Sequence, residues 1–76
     1  MESKKNMPDR RALVRGAKWT ALQPKEREKH FVVHSQIERA GGVVDSVRVE
    51  AVLTKTVYAI AVSELGDATR WRPGWH

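Results

Sequence analysis

His30 and His34 are the first residues to weigh for chemistry, because imidazole is the commonest metal-ligating side chain. They sit in KHFVVHSQIE, a run rich in β-forming residues. On a strand the two rings share a face but lie about 13 Å apart, at a rise of ~3.3 Å per residue. A zinc ion with Zn–N bonds near ~2 Å cannot join them. We read two exposed or half-exposed strand histidines and expect no metal. Nucleophilic catalysis lacks its parts. The chain has no Cys, and Ser35, Ser46 and Ser63 stand in strand-like contexts with no base and orienting acid placed beside them. Glu26 and Glu28 fall in a charged turn, which reads as a solvated face. The glycines match neither phosphate-cradling spacing. The residues therefore point to a non-enzyme without a cofactor.

Binding chemistry is better represented. The chain carries 14 Lys and Arg against 9 Asp and Glu, a net charge of +5. Lys4, Lys5, Arg10, Arg11, Arg15 and Lys18 outnumber Glu2 and Asp9 in the first 18 residues, so the excess belongs mainly to the N-terminal stretch. Such a cluster can hold phosphate through counterion release. The rest of the chain is nearly balanced, which argues against a charged groove on the folded part. Trp19, Trp71 and Trp75 are either recognition surface, as Trp is favoured at binding hot spots, or plugs for an undersized core. A chain of 76 residues forms one domain and buries only roughly 60% of its unfolded surface.

The elements that must position these residues centre on Val47 to Leu65, VRVEAVLTKTVYAIAVSEL. Alternation with period two marks a strand pair. Folding about Thr54-Lys55 pairs Leu53 with Thr56, Ala51 with Tyr58, Val49 with Ile60 and Val47 with Val62, all on one mainly apolar face. Thr-Lys supplies neither of the positive-φ residues that a two-residue turn prefers, so a longer loop is the alternative. Upstream, residues 1–15 read as a basic, disordered tail, with Asp9 available as a cap for a helical turn over Arg10 to Arg15. Gly16 marks the start of a small β domain at 16–76. Lys18 to Leu22 is a first strand. Gln23 to Glu28 is a turn opened by Pro24. Lys29 to Glu38 is a long second strand with Phe31, Val33, Ser35 and Ile37 on one face. Ala40-Gly41-Gly42 is a loop. Downstream, Asp67 caps a short turn over Ala68 to Trp71, and Pro73-Gly74 turns the chain again. The fold class is mainly β: a small antiparallel SH3-like barrel, or a curled four- to five-stranded sheet. Trp71 or Trp75 is expected to fold back over its open end.

Three stretches, KWTALQPKEREKHF, VEAVLTKTVYAI and ELGDATRWRPGW, give the chain a resemblance to the small tryptophan-rich bacterial proteins of unknown function. The matching positions are Lys18, Trp19, Thr20, Ala21, Pro24, Arg27, Glu28, Lys29, His30 and Phe31, then Ala51 to Thr54, then Glu64, Leu65, Asp67, Arg70, Trp71, Gly74 and Trp75. Where relatives often carry a Pro-Trp pair before the Glu-Leu, this chain has Ala61 and Val62. Trp19, Phe31, Leu53, Leu65, Trp71 and Trp75 are what a core requires. The polar matches mark either a binding patch or a charge network that fixes the loop after the first strand. The candidate binding patch is thus Lys18, Trp19, Arg27, Lys29, His30, Arg70, Trp71 and Trp75. No segment approaches the ~20 apolar residues of a membrane span, and neither a secretory signal nor a disulfide framework is present. The expectation is a monomeric, non-catalytic protein-binding module of a bacterial cytoplasm. The alternative is a nucleic-acid or ribosome-associated module using the basic tail and exposed Trp. Protein recognition would leave an apolar patch exposed; nucleic-acid binding would gather Lys18, Arg27, Lys29 and Arg70 on one face.

Overall fold

A computed structural model of the chain describes residues 8–76. Five antiparallel strands form one sheet: β1 (Lys18–Lys25), β2 (Glu28–Arg39), β3 (Val43–Ala51), β4 (Val57–Ala61) and β5 (Trp71–Pro73). Their spatial order is β4-β3-β2-β1-β5. The first four make the expected meander. A single helical turn, α1 (Val62–Leu65), and the turn at Asp67 then carry the chain across to the far side of β1, where β5 pairs Ala21 with Trp71 and Trp19 with Pro73. Of the two forms expected, the open curled sheet is the one found: β4 and β5 remain edges and the barrel does not close. The molecule measures 34 × 32 × 17 Å, one sheet and one thin covering layer.

The buried face of the sheet follows the alternation of its strands. Trp19 and Ala21 of β1, Phe31 and Val33 of β2, and Val47, Val49 and Ala51 of β3 are all buried on it. Leu13, Val62, Leu65 and Trp71 cover them. Val62 and Leu65 are three apart on α1, so one helical turn presents both to the same side.

Several local readings are corrected here. Tyr58 stands opposite Val49, not Ala51, and Ile60 opposite Val47. The slip is two residues, so every side chain keeps its face. The loop is correspondingly longer. Ala51 N–H donates to Thr56 O (2.8 Å) and Lys55 N–H to Ala51 O (2.8 Å). Only Lys55 takes a left-handed conformation there, at φ 67. A two-residue type I′ turn would demand two such residues. Leu53 lands in this loop, 66% exposed, and leaves the core. β4 ends at Ala61, so Val62 packs from a helical turn and not from a strand.

β1 runs to Lys25, and Pro24 lies within it, in a stretch where the pairing with β2 shifts register. An irregular stretch of this kind tolerates a residue without an N–H. The turn is only Glu26-Arg27, both left-handed at φ 53 and 67. In β2 the register shifts between Val33 and Ser35. Beyond the shift Gln36, opposite Val47, takes the core side, and Ile37 goes to the other face.

The N-terminal boundary also moves. Residues 1–7 lie outside the described residues. From Asp9 onward the chain, read from sequence as part of a tail up to residue 15, packs against the sheet. Asp9 caps a 3-10 turn, Arg10–Ala12, by accepting from Arg11 N–H (2.9 Å). Leu13 is buried. Trp19 Nε1–H donates to Ala12 O (2.7 Å), and Gln36 Nε2–H to Leu13 O (3.0 Å). Gly16, at φ 90, lets the chain turn sharply while its N–H reaches Val33 O (2.9 Å).

Candidate functional site

The curl brings the two sheet edges toward each other and leaves a cleft of about 310 Å³ between them. Tyr58 and Ile60 of β4 form one wall, Trp71 of β5 and Ala21, Gln23, Pro24 and Lys25 of β1 the other, and Phe31 the floor. Phe31 sets the geometry. Its ring meets Trp71 edge-on at 5.2 Å and Tyr58 edge-on at 6.1 Å, both in the favoured T-shaped arrangement. Arg70 and Glu64 stand at the rim, joined at 3.6 Å, and Glu64 also accepts from Trp71 Nε1–H (3.2 Å).

Glu28 anchors one end of the cleft. It is nearly buried, at 9% exposure. Its two carboxylate oxygens accept from Thr54 Oγ1–H and from Tyr58 OH (2.5 Å). The Thr54 and Tyr58 hydroxyls, in that order, hold the carboxyl below its ordinary range despite burial. The same hydrogen bond from Tyr58 to Glu28 pushes the phenol above its usual value. Glu28, expected in a solvated turn, instead ties the β1–β2 turn to the β3–β4 loop. Sequence reading missed Glu28, Thr54 and Tyr58 as a cluster. The usable signal was the lone Tyr of an apolar strand, whose hydroxyl requires a partner once half-buried.

A second cluster lies on the opposite face of the sheet. Gly74, at φ 86, reverses the chain after β5 and returns residues 75–76 across that face. Thr20, 1% exposed, is the clasp: its hydroxyl donates to Gly74 O (2.7 Å) and accepts from His76 N–H (3.0 Å). Trp75 then lies against His30 at 5.6 Å, with Lys18 Nζ over its ring at 5.2 Å and its Nε1–H on Phe31 O (2.9 Å). It remains 43% exposed.

The expected patch of eight residues is therefore divided. Lys18, His30 and Trp75 are together on the outer face. Trp71 and Arg70 belong to the cleft on the inner face. Trp19 is core, 1% exposed, and belongs to neither. Arg27 occupies the β1–β2 turn, and Lys29 is exposed beside it. Lys18 and Arg70 are on opposite faces, so the four cations considered for nucleic-acid binding do not share one. His34 contacts Ser35 Oγ at 3.3 Å, whereas His30 meets Trp75 and His76 O. Among the described residues, no helix is long and apolar enough to cross a membrane.

Three tryptophans in 76 residues, each fixed by an indole hydrogen bond, set this chain beside a known group. Residues 17–76 match the family model described as Tryptophan-rich protein (DUF2389). The chain belongs to this family. No curated protein and no solved structure matches it. The DUF2389 match begins at Ala17, just after the segment that delivers Leu13 to the core, so the structured unit described here extends upstream of the family region.

Proposed function

We propose that this DUF2389 chain is a non-catalytic module of the bacterial cytoplasm that binds another protein, and that it does so at the cleft between β4 and β5. The observation that carries the reading is the composition of the cleft. Its floor and walls are aromatic and aliphatic, from Phe31, Tyr58, Ile60 and Trp71. Its acids are already engaged, Glu28 by two hydroxyls and Glu64 by Arg70. A site with an apolar floor and engaged acids, with Lys25 and Arg70 also in its lining, favours an apolar side chain. Its volume, at the low end of the range for ligand pockets, accommodates one large side chain, as when a protein surface accepts a hot-spot residue.

The test is a titration of the isotopically labelled chain with N-acetyl-phenylalanine amide, alongside a twelve-nucleotide single-stranded DNA at the same concentrations. Amide and indole signals of Phe31, Tyr58, Ile60 and Trp71 are expected to shift with the first ligand. Shifts produced by the DNA alone, centred on Lys18, His30 and Trp75, would overturn the reading in favour of nucleic acid.

A further inference from the structure

The outer edge of β4 is open along VYAIA. Among the described residues no strand lies beyond it. Ala51 N–H donates to Thr56 O, and with the observed register this makes Val49/Tyr58 and Val47/Ile60 the hydrogen-bonded pairs. The N–H and C=O groups of Val57 and Ala59 consequently point away from β3, toward solvent. Both residues are exposed, Val57 at 43%. Natural sheets blunt such an edge with Pro, Lys, a bulge or extreme shortness. β5 does so, being three residues that end in Pro73. β4 has none of these devices.

We propose that β4 receives an extended segment of the partner protein as a sixth strand, with one large apolar side chain of that segment entering the cleft. The inference rests on the cleft reading and names the partner's form. Backbone groups on Val57 and Ala59 would supply the ladder. Tyr58 and Ile60 then occupy the non-hydrogen-bonded positions, where facing side chains approach most closely. They are also the β4 residues that wall the cleft. A residue of the added strand opposite either one is directed between β4 and Trp71. Other occupants fit less well. A second copy pairing through its own β4 would bring Tyr58, whose hydroxyl is held by Glu28 (2.5 Å), and so has no free side chain to insert. The chain's own first residues, MESKKNM, are mostly charged or polar, with Met1 and Met7 as their apolar residues and no aromatic or β-branched side chain to suit an added strand.

The experiment selects a phage-displayed decapeptide library against the intact chain and follows the enriched peptides by calorimetry and amide exchange. Val57 and Ala59 amides are expected to exchange quickly in the free protein and at least tenfold more slowly in the complex. Ala59→Pro removes only an outward N–H, which an edge strand tolerates. It should weaken binding at least tenfold while the melting temperature stays close to that of the parent. N-methylation of the peptide at alternate residues should do the same without touching the protein, which keeps the test decisive if the variant folds poorly. Replacing the peptide's large apolar residue by Ala tests the cleft separately. Loss on that replacement, with no response to Ala59→Pro or N-methylation, overturns strand addition and leaves the cleft reading standing. Sensitivity to N-methylation with no loss on the Ala replacement overturns the cleft as the side-chain site. Failure to enrich any peptide, or a concentration-dependent dimer abolished by Ala59→Pro, overturns the proposal.

Discussion

Trp71 and Trp75 are four residues apart in RWRPGW and end on opposite faces of the sheet. Trp71 goes inward. It packs edge-on against Phe31 and is 8% exposed. Trp75 goes outward, lies on His30 under Lys18, and is 43% exposed. Both indoles donate a hydrogen bond, Trp71 to Glu64 and Trp75 to Phe31 O, so hydrogen bonding does not separate them. Burial does. The inward residue supports the core and walls the cleft, while the outward one fastens the chain end to β1 and β2. The difference arises at Gly74, whose left-handed backbone directs the chain to the second face.

Truncation should separate the two sites most sharply. Trp71→Ala is expected to cost about 3–5 kcal/mol, the usual range for a buried aromatic. That is a large fraction of a small domain's stability. Trp75→Ala should cost about 1 kcal/mol, in line with an exposed cation–π contact and one hydrogen bond. Urea unfolding followed by circular dichroism measures both. Equal losses would dissolve the distinction between the faces.

Leu13→Ala extends the comparison to the N-terminal segment, which covers the same inner face. A cost of about 2–3 kcal/mol is expected, as for other buried leucines, whereas Val14→Ala, 46% exposed, should change stability by about 0.5 kcal/mol or less. If the two substitutions behave alike, residues 9–15 do not pack as described.

The pH dependence isolates the Glu28 cluster at the inner face. Glu28 has its folded-state pKa lowered by the Thr54 and Tyr58 hydroxyls. Its contribution is therefore present above the unfolded value near 4.5 and is lost as pH falls through the lower folded value. Tyr58 has its pKa raised by Glu28. Its contribution is present below the unfolded value near 10.0 and is lost as pH rises through the higher folded one. Melting temperature against pH should fall at both ends, and Tyr58→Phe should flatten the alkaline limb. An alkaline limb unchanged by that substitution would contradict the pairing.

The smallest effect is expected at the β1–β2 turn. Glu26 and Arg27 both hold positive φ without being Gly or Asn, a mild strain. Replacing them by Asn-Gly should raise stability by about 0.5–1 kcal/mol in thermal unfolding. A loss would mean that the side chains of Glu26 and Arg27 contribute to the turn.

Much of this fold was legible because alternation is a direct signal. The mainly β class, the meander and the inner face of β3 follow from Val47, Val49 and Ala51 alone. What was not legible depends on residues that alternation does not describe. Lys55, Glu26 and Arg27 adopt left-handed conformations that their types do not advertise, so both turns were misplaced, by two residues in the β3–β4 register and to the wrong side of Pro24 in β1. The register shift after Val33 exchanges Gln36 and Ile37 between faces, and nothing in a one-dimensional pattern marks it. Leu13 was read with the basic residues around it, and charge density hid a single core side chain. The site suffered similarly. Three tryptophans, four cations and one histidine formed one patch in sequence, but the sheet distributes them between two faces and the core. The cleft itself depends on β5 returning beside β1, a long-range pairing that local composition does not reveal.

Hydrogen–deuterium exchange of the three indole N–H protons, read by NMR on the intact chain, tests the two-face arrangement most directly. Trp19, 1% exposed and bonded to Ala12 O at 2.7 Å, should exchange only through global unfolding. Trp71 should follow close behind. Trp75 should exchange far sooner, through local release of residues 74–76. Trp75 exchanging as slowly as Trp19, or Trp71 exchanging as fast as Trp75, would contradict the assignment of an inward and an outward tryptophan.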